Sequence, residues 1–146
     1  MLIDIVNRSL LRQTSNGIWF GYDTGRSKWL SAFREKIYFS VNHKNVGNSR
    51  WMTFETIPSN LGGYSALRDA TITSLKLYNS TTTIASVKIY KNFTEIYTVS
   101  LSTESSKTID DINIDINENE GIQVEIVSGS LDYPIVSVEL AWRETF

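Results

Sequence analysis

Gly129-Ser-Leu-Asp-Tyr-Pro-Ile-Val-Ser-Val-Glu-Leu-Ala-Trp142 opens on a turn cluster and continues with Val136, Val138, Leu140 and Trp142 at period two. Between these stand Ser137, Glu139 and Ala141, so one face of the segment is apolar and the other small or polar, the mark of a half-buried β-strand. The alternation recurs upstream in Val87 with Ile89, in Tyr97, Val99 and Leu101, in Ile112, Ile114 and Ile116, and in Ile122, Val124 and Ile126. The expected fold is all-β: an antiparallel β-sandwich of jelly-roll type, with roughly eight to ten strands and little or no helix.

Outward from that stretch, the chain reads as one domain over residues 17–146, preceded by a short segment, 1–16. In that segment Leu2, Ile3, Ile5, Val6, Leu10 and Leu11 are apolar, and Gln13 to Gly17 form a polar break. It is either an anchor that docks on another protein or the first strand of the domain. Trp29, Leu30 and Phe33 have helical spacing behind a capping Ser27, but a bent strand over Ser27 to Lys36 suits the neighbouring elements better. Trp51 to Ile57 reads as a strand closed by Pro58. Ile72 and Leu75 are three apart, which predicts a bulge or a strand that changes sheets. Further on, Asn79 to Thr83 reads as a turn, Asn92 with Phe93 as a tight hairpin connection, Ser102 to Ser106 as a loop and Thr108 to Ile116 as a strand.

The 146 residues carry 14 basic and 16 acidic side chains, a net charge of −2 that gives no reason to expect nucleic acid or an anionic membrane as partner. Arg26 to Arg50 is basic and Glu104 to Glu120 acidic, a contrast that invites contact between the two in neighbouring copies. With no cysteine, thiolate chemistry and disulfides are excluded. No stretch has the length of a membrane span, and no secretory leader is recognisable, so synthesis in a cytoplasm is expected. The glycosylation patterns at Asn7, Asn79 and Asn92 then read as accidents of composition.

Catalytic candidates are sparse. The single histidine, His43, lies in a polar loop and reads as solvated. Gly62 and Gly63 lack the lysine and helix start of a phosphate loop. Asp110, Asp111, Asp115, Glu118 and Glu120 alternate with isoleucines and read as an outward polar face rather than a calcium site. Glu55, Glu125 and Glu139 lie on expected strands, with no separation to test as a glycosidase pair. The expectation is a non-enzymatic protein without cofactor, metal or catalytic residue.

Aromatic residues crowd the first third, in places as neighbours that must point to opposite faces of a strand: Trp19 beside Phe20, and Tyr38 beside Phe39. Three readings stay open. Subunit contact covers the second face, through Trp19, Tyr22, Trp29 and Tyr38; or loops and both sheets cover everything within one chain; or a carbohydrate platform is formed by Trp51, Tyr64, Tyr90 or Tyr133.

Four segments stand in a suggestive order: Arg26-Ser-Lys-Trp-Leu-Ser31, Pro58-Ser-Asn-Leu-Gly-Gly-Tyr64, Leu67-Arg-Asp-Ala-Thr-Ile72 and Pro134-Ile-Val-Ser-Val-Glu-Leu-Ala-Trp-Arg143. Together they span roughly Gly17 to Arg143 and resemble the β-sandwich head domains of tailed-phage virion proteins, the capsid head fibres and decoration proteins. The resemblance implies a jelly-roll knob like the trimeric tumour-necrosis-factor and C1q heads. It implies a homotrimer on the virion capsid surface, made in the bacterial host cytoplasm, with other virion proteins and host surface glycan as partners. In that picture Leu2, Ile3, Ile5, Val6, Leu10 and Leu11 form the capsid anchor. Trp142 closes the core with Arg143 turned outward, and the Pro58 to Tyr64 loop turns the chain between sheets. Leu67 departs from the pattern, in which proline precedes the arginine, and no collagen-like or heptad stalk precedes the domain, which favours a short-anchored knob.

Overall fold

The computed structural model describes residues 11–146, and of the expected anchor only Leu11 falls within it; the other five lie outside the described residues. Twelve strands and no helix are found among the described residues: β1 (Leu11–Gln13), β2 (Trp19–Asp23), β3 (Lys28–Ser40), β4 (Arg50–Trp51), β5 (Thr53–Phe54), β6 (Ile57–Pro58), β7 (Tyr64–Ser65), β8 (Ala70–Lys91), β9 (Thr94–Ile109), β10 (Ile114–Ile116), β11 (Gly121–Ser128) and β12 (Ile135–Glu144). Every pairing is antiparallel. The fold is all-β, of sandwich or jelly-roll type.

A single long hairpin, β8 with β9, organises it. The first part of β8 pairs with β12 from Ala70 to Tyr78, and its last part pairs with β11 from Ser86 to Lys91. β9 follows on the opposite edge of both parts. One layer thus runs β1-β2-β3-β12-β8, and the second is built on β9, β8, β11 and the short β4 and β7. Inward residues of both layers meet in one cluster, including Ile37 and Phe39 of β3, Leu75, Leu77, Val87 and Ile89 of β8, Val124 and Ile126 of β11, and Val136, Val138 and Leu140 of β12. Burying each such side chain contributes about 1.5–3 kcal/mol before chain entropy is set against it.

Several local expectations change. Asn79 to Thr83 is no turn: β8 runs through it, and this is where the strand passes from one layer to the other. Its threonines favour extended backbone. Asn79, fully buried, donates from Nδ2 to the Thr81 carbonyl and accepts the Asp132 N–H at 2.6 Å. Ser102 to Ser106 is likewise strand, polar because β9 is exposed there on both sides. Trp51 to Ile57 is cut twice, between β4 and β5 at the buried Met52 and between β5 and β6 by a two-residue turn at Glu55, whose φ is 55°.

Thr108 to Ile116 is interrupted after Ile109 because an arginine replaces a neighbouring strand. Arg26 donates to the carbonyls of Ile112 (2.7 Å), Asp110 (3.0 Å) and Thr73 (3.2 Å) while pairing with Asp23.

The bent strand over Ser27 to Lys36 is found, with the helical alternative absent. Its register slips opposite Trp142, where Ser31 donates to the Phe33 carbonyl and accepts the Trp142 N–H. The irregularity between Ile72 and Leu75 is a bulge at Thr73. The segment from Pro58 to Tyr64 carries the chain from β6, on the β3 side, to β7 beside β11, as expected. Arg143, expected to turn outward, instead donates to the Ala70 carbonyl and Asn117 and pairs with Asp115 at 2.9 Å.

Candidate functional site

Alternation gives each layer an outward face, and the two faces differ. On the first layer, Ser137 of β12 stands between Tyr38 of β3 and Lys76 of β8, with Thr108 beyond. One step along, Glu139 lies between Lys36 and Ser74, and Ser74 donates to Asp110 at 2.9 Å. Small serines at the centre and long side chains around them leave a hollow of about 320 Å³. Tyr38 is its exposed aromatic member, and Tyr78 and Ile135 are exposed next to each other farther along the same strands. Glu139 accepts from Thr73 at 2.9 Å and faces Arg34 at 3.8 Å, so the face alternates in charge as well as in size.

The expected contact residues divide. Trp19 and Tyr38 are 51% and 54% exposed. Trp19 borders a second, apolar hollow of about 230 Å³ with Leu11, Gly21, Leu30 and Ala32 at the β1–β3 edge. Tyr22, also exposed, lines the same hollow, while Trp29 is packed inside the chain: it meets Tyr22 edge-on at 5.4 Å and Phe146 at 5.2 Å, and Arg12 lies over its ring. The expected basic-to-acidic contact is also partly internal, since Arg26 is held on the 110–112 backbone and Lys28 pairs with Asp115.

On the second layer the outward residues include Trp51, Glu125, Lys88, Tyr90 and Gln123. Trp51 and Tyr90, singled out separately in the sequence, pack together at 5.2 Å. The Tyr90 hydroxyl donates to Glu125 at 2.9 Å; burial, then that hydrogen bond and the nearby carboxylate charges, push the phenol up to about 12. Lys88 is paired with Glu95 at 2.8 Å. Tyr64 is buried instead, edge-on to Phe54, and its hydroxyl faces Glu35 at 3.4 Å; burial and that carboxylate raise its ionisation well above the usual phenol range. Tyr133 stands apart, in the turn before β12.

Sequence reasoning passed over Phe93. It sits at the tip of the β8–β9 hairpin, 58% exposed, at a φ of 64°, and its ring meets Trp51 at 6.2 Å. A two-residue turn with both residues at positive φ wants Asn-Gly, so a phenylalanine there is itself a signal. Beside it a groove of about 400 Å³ runs between residues 59–65, the hairpin tip and the turn into β11.

Other candidates stay apart. His43 is exposed, its ring nitrogen Nδ1 at 2.9 Å from the Lys44 carbonyl oxygen. Glu125 and Glu139 lie on the outward faces of different layers and Glu55 lies in a turn, so these carboxylates do not converge. Among the described residues no three His, Asp or Glu side chains are placed to share a metal ion, and no helix is long and apolar enough to cross a membrane. No protein-family model matches this chain, and no curated protein matches its sequence.

Proposed function

We propose that this chain is a non-enzymatic structural protein of a phage virion, a jelly-roll knob fixed to the capsid as a head fibre or decoration protein and assembled as a homotrimer. The observation that carries the reading is the state of β3: Tyr38 is exposed while its neighbours Ile37 and Phe39 are buried. An exposed ring on a face otherwise built of charged and small residues is an anchor that burial against another surface stabilises.

A threefold ring is built from two different patches, one from each neighbour. The first layer offers two: the hollow around Ser137 and the apolar hollow beside Trp19. Interleaved Lys36, Glu139, Lys76 and Asp110 would set orientation more than affinity. The four-segment resemblance supplies the virion context, and the apolar residues before Arg12 supply the anchor. The scattered placement of His43, Glu125 and Glu139 supports the non-enzymatic part of the reading.

Size-exclusion chromatography with light scattering tests the assembly. A mass three times that of the chain is expected, falling to one in Tyr38→Ser combined with Lys76→Glu. A wild-type monomer at micromolar concentration, unchanged by salt, removes the trimer.

A further inference from the structure

We infer that the groove beside the β8–β9 hairpin is a binding site for neutral saccharide, with Phe93 as its stacking surface and Trp51 backing that ring from outside the groove. The inference is independent of the trimer, because this site lies on the second layer and the proposed contact patches lie on the first.

Its chemistry is selective. The groove is lined by Asn60, Asn92, Asn119 and Gln123 together with serines, glycines, Leu61, Tyr64 and Phe93, and by no lysine, arginine, aspartate or glutamate. Two of the amides are fixed by backbone donors: Asn92 Oδ1 accepts the Gly121 N–H at 2.8 Å, and Gln123 Oε1 accepts the Phe93 N–H at 2.9 Å. With each oxygen held by one backbone donor, Asn92 Nδ2 and, from the largely buried Gln123, Nε2 are left among the described residues as donors for a ligand, and each oxygen keeps a second lone pair. Amides pair with hydroxyls in either sense, which suits a polyol.

Charged ligands fit poorly. Phosphate, acidic peptide and single-stranded nucleic acid are held by Lys and Arg. The two lysines of β8 that lead into the hairpin are engaged, Lys88 by Glu95 and Lys91 by Glu120. A sugar ring presents an apolar C–H face that aromatic rings cover and a hydroxyl rim that amides satisfy, the usual division of labour in a small-ligand cleft. The groove volume falls within the roughly 300–1,000 Å³ typical of such clefts.

Phe93 adds an independent sign. A bulky residue in the left-handed region is uncommon and strained, and such strain clusters at functional sites. Glycine would serve the turn better, whereas the phenyl ring, more than half exposed, gives the fold little burial in return. Retention for binding accounts for a residue that folding alone disfavours.

The test is an NMR titration of the full chain, following the Trp51 indole and the Asn92 and Gln123 side-chain amides. Glucose, galactose, mannose and N-acetylglucosamine are each raised to tens of millimolar, with sialic acid and a nucleotide as anionic probes. At least one neutral sugar is expected to shift these signals saturably, with no matching response to the anions. In Phe93→Gly, still folded and with an unchanged or raised melting temperature, the same sugar should bind at least tenfold more weakly. Asn60→Ala, on the far wall, should weaken it without touching the hairpin. Silence toward all four sugars, an equal response to the anions, or wild-type titration in both variants overturns the inference.

Discussion

The outward faces of the two layers obey one rule of alternation and both carry ion pairs, but they lead to different hollows. On the first, Lys36, Glu139, Lys76 and Asp110 surround small hydroxyl residues, and ionic contacts extend to the layer edge through Asp115, Lys28 and Arg143. The second ends at a hairpin tip where amides, glycines and aromatics meet without a charge in the groove. A charged, broad face suits a large partner whose own charges set orientation, whereas a neutral, narrow groove suits a small polar ligand. Period two dictates that each layer has an outside; the residues chosen for that outside decide what it can hold.

The contrast presumes that both faces ride on one core, and the largest predicted effect tests this. Leu77→Ala removes a fully buried side chain beneath the first face and should cost about 2–5 kcal/mol. Urea unfolding followed by tryptophan fluorescence and by circular dichroism should shift together; two separate transitions would divide the molecule.

Next comes the crossing between layers. A Cβ on Gly129, whose φ is 78°, would lie 2.3 Å from the Ile84 carbonyl oxygen, so Gly129→Ala should destabilise by about 1–3 kcal/mol. A change below the error of thermal denaturation would mean that the backbone there yields freely.

Titration should separate the faces by sign. Burial works to raise the Asp115 carboxyl, but hydrogen bonds from Lys28 and Thr71 and the charges of Arg143 and Lys28 outweigh it and hold it below the ordinary value. A depressed folded value means that the contribution is present above the unfolded carboxylate range, about pH 4, and lost as pH falls through the folded value. Wild type should therefore lose stability in acid more steeply than Asp115→Asn, measured as urea midpoints across pH. Parallel profiles would assign no such role to Asp115. Sugar binding on the second layer should be indifferent to pH between neutrality and the onset of acid unfolding.

The smallest effects are expected at the surface. Phe93→Gly relieves left-handed strain and gives up one aromatic contact, for a net change within about 1 kcal/mol and of stabilising sign. Tyr38→Ser should leave monomer stability within about 0.5 kcal/mol while reducing self-association. Reversal of either sign, Phe93→Gly destabilising strongly or Tyr38→Ser leaving the mass unchanged, would blur the distinction drawn between the faces.

Strands were legible where alternation is strong, as in β11 and β12, because burial on one side enforces apolar residues at every second position. They were misread where that pressure is absent. Asn79 to Thr83 and Ser102 to Ser106 are polar because, the buried Asn79 apart, these positions lie at or near the surface, and composition alone resembles a turn. Thr108 to Ile116 was misread for another reason: Arg26, more than eighty residues earlier, supplies the hydrogen bonds that a continuing strand would have supplied.

The surfaces were half legible. Trp51 and Tyr90 could be named as candidates from exposure-prone aromatic character, yet nothing local says that they touch, since β4 and β8 meet only through β11. Phe93 was overlooked because a two-residue turn explains its position, although not its identity.

The amino-acid order by itself determined the all-β class, the outward and inward sides of most strands, and the lack of cysteine chemistry, because these rest on side-chain period and composition. Only the tertiary structure decided that β8 serves both layers, that Arg26 and Lys28 answer acidic residues of their own chain, and that one face is charged while the other ends in a neutral groove. Those outcomes depend on strand register and on contacts between residues far apart in the chain, and a one-residue slip in register would have turned every one of those side chains to the opposite side.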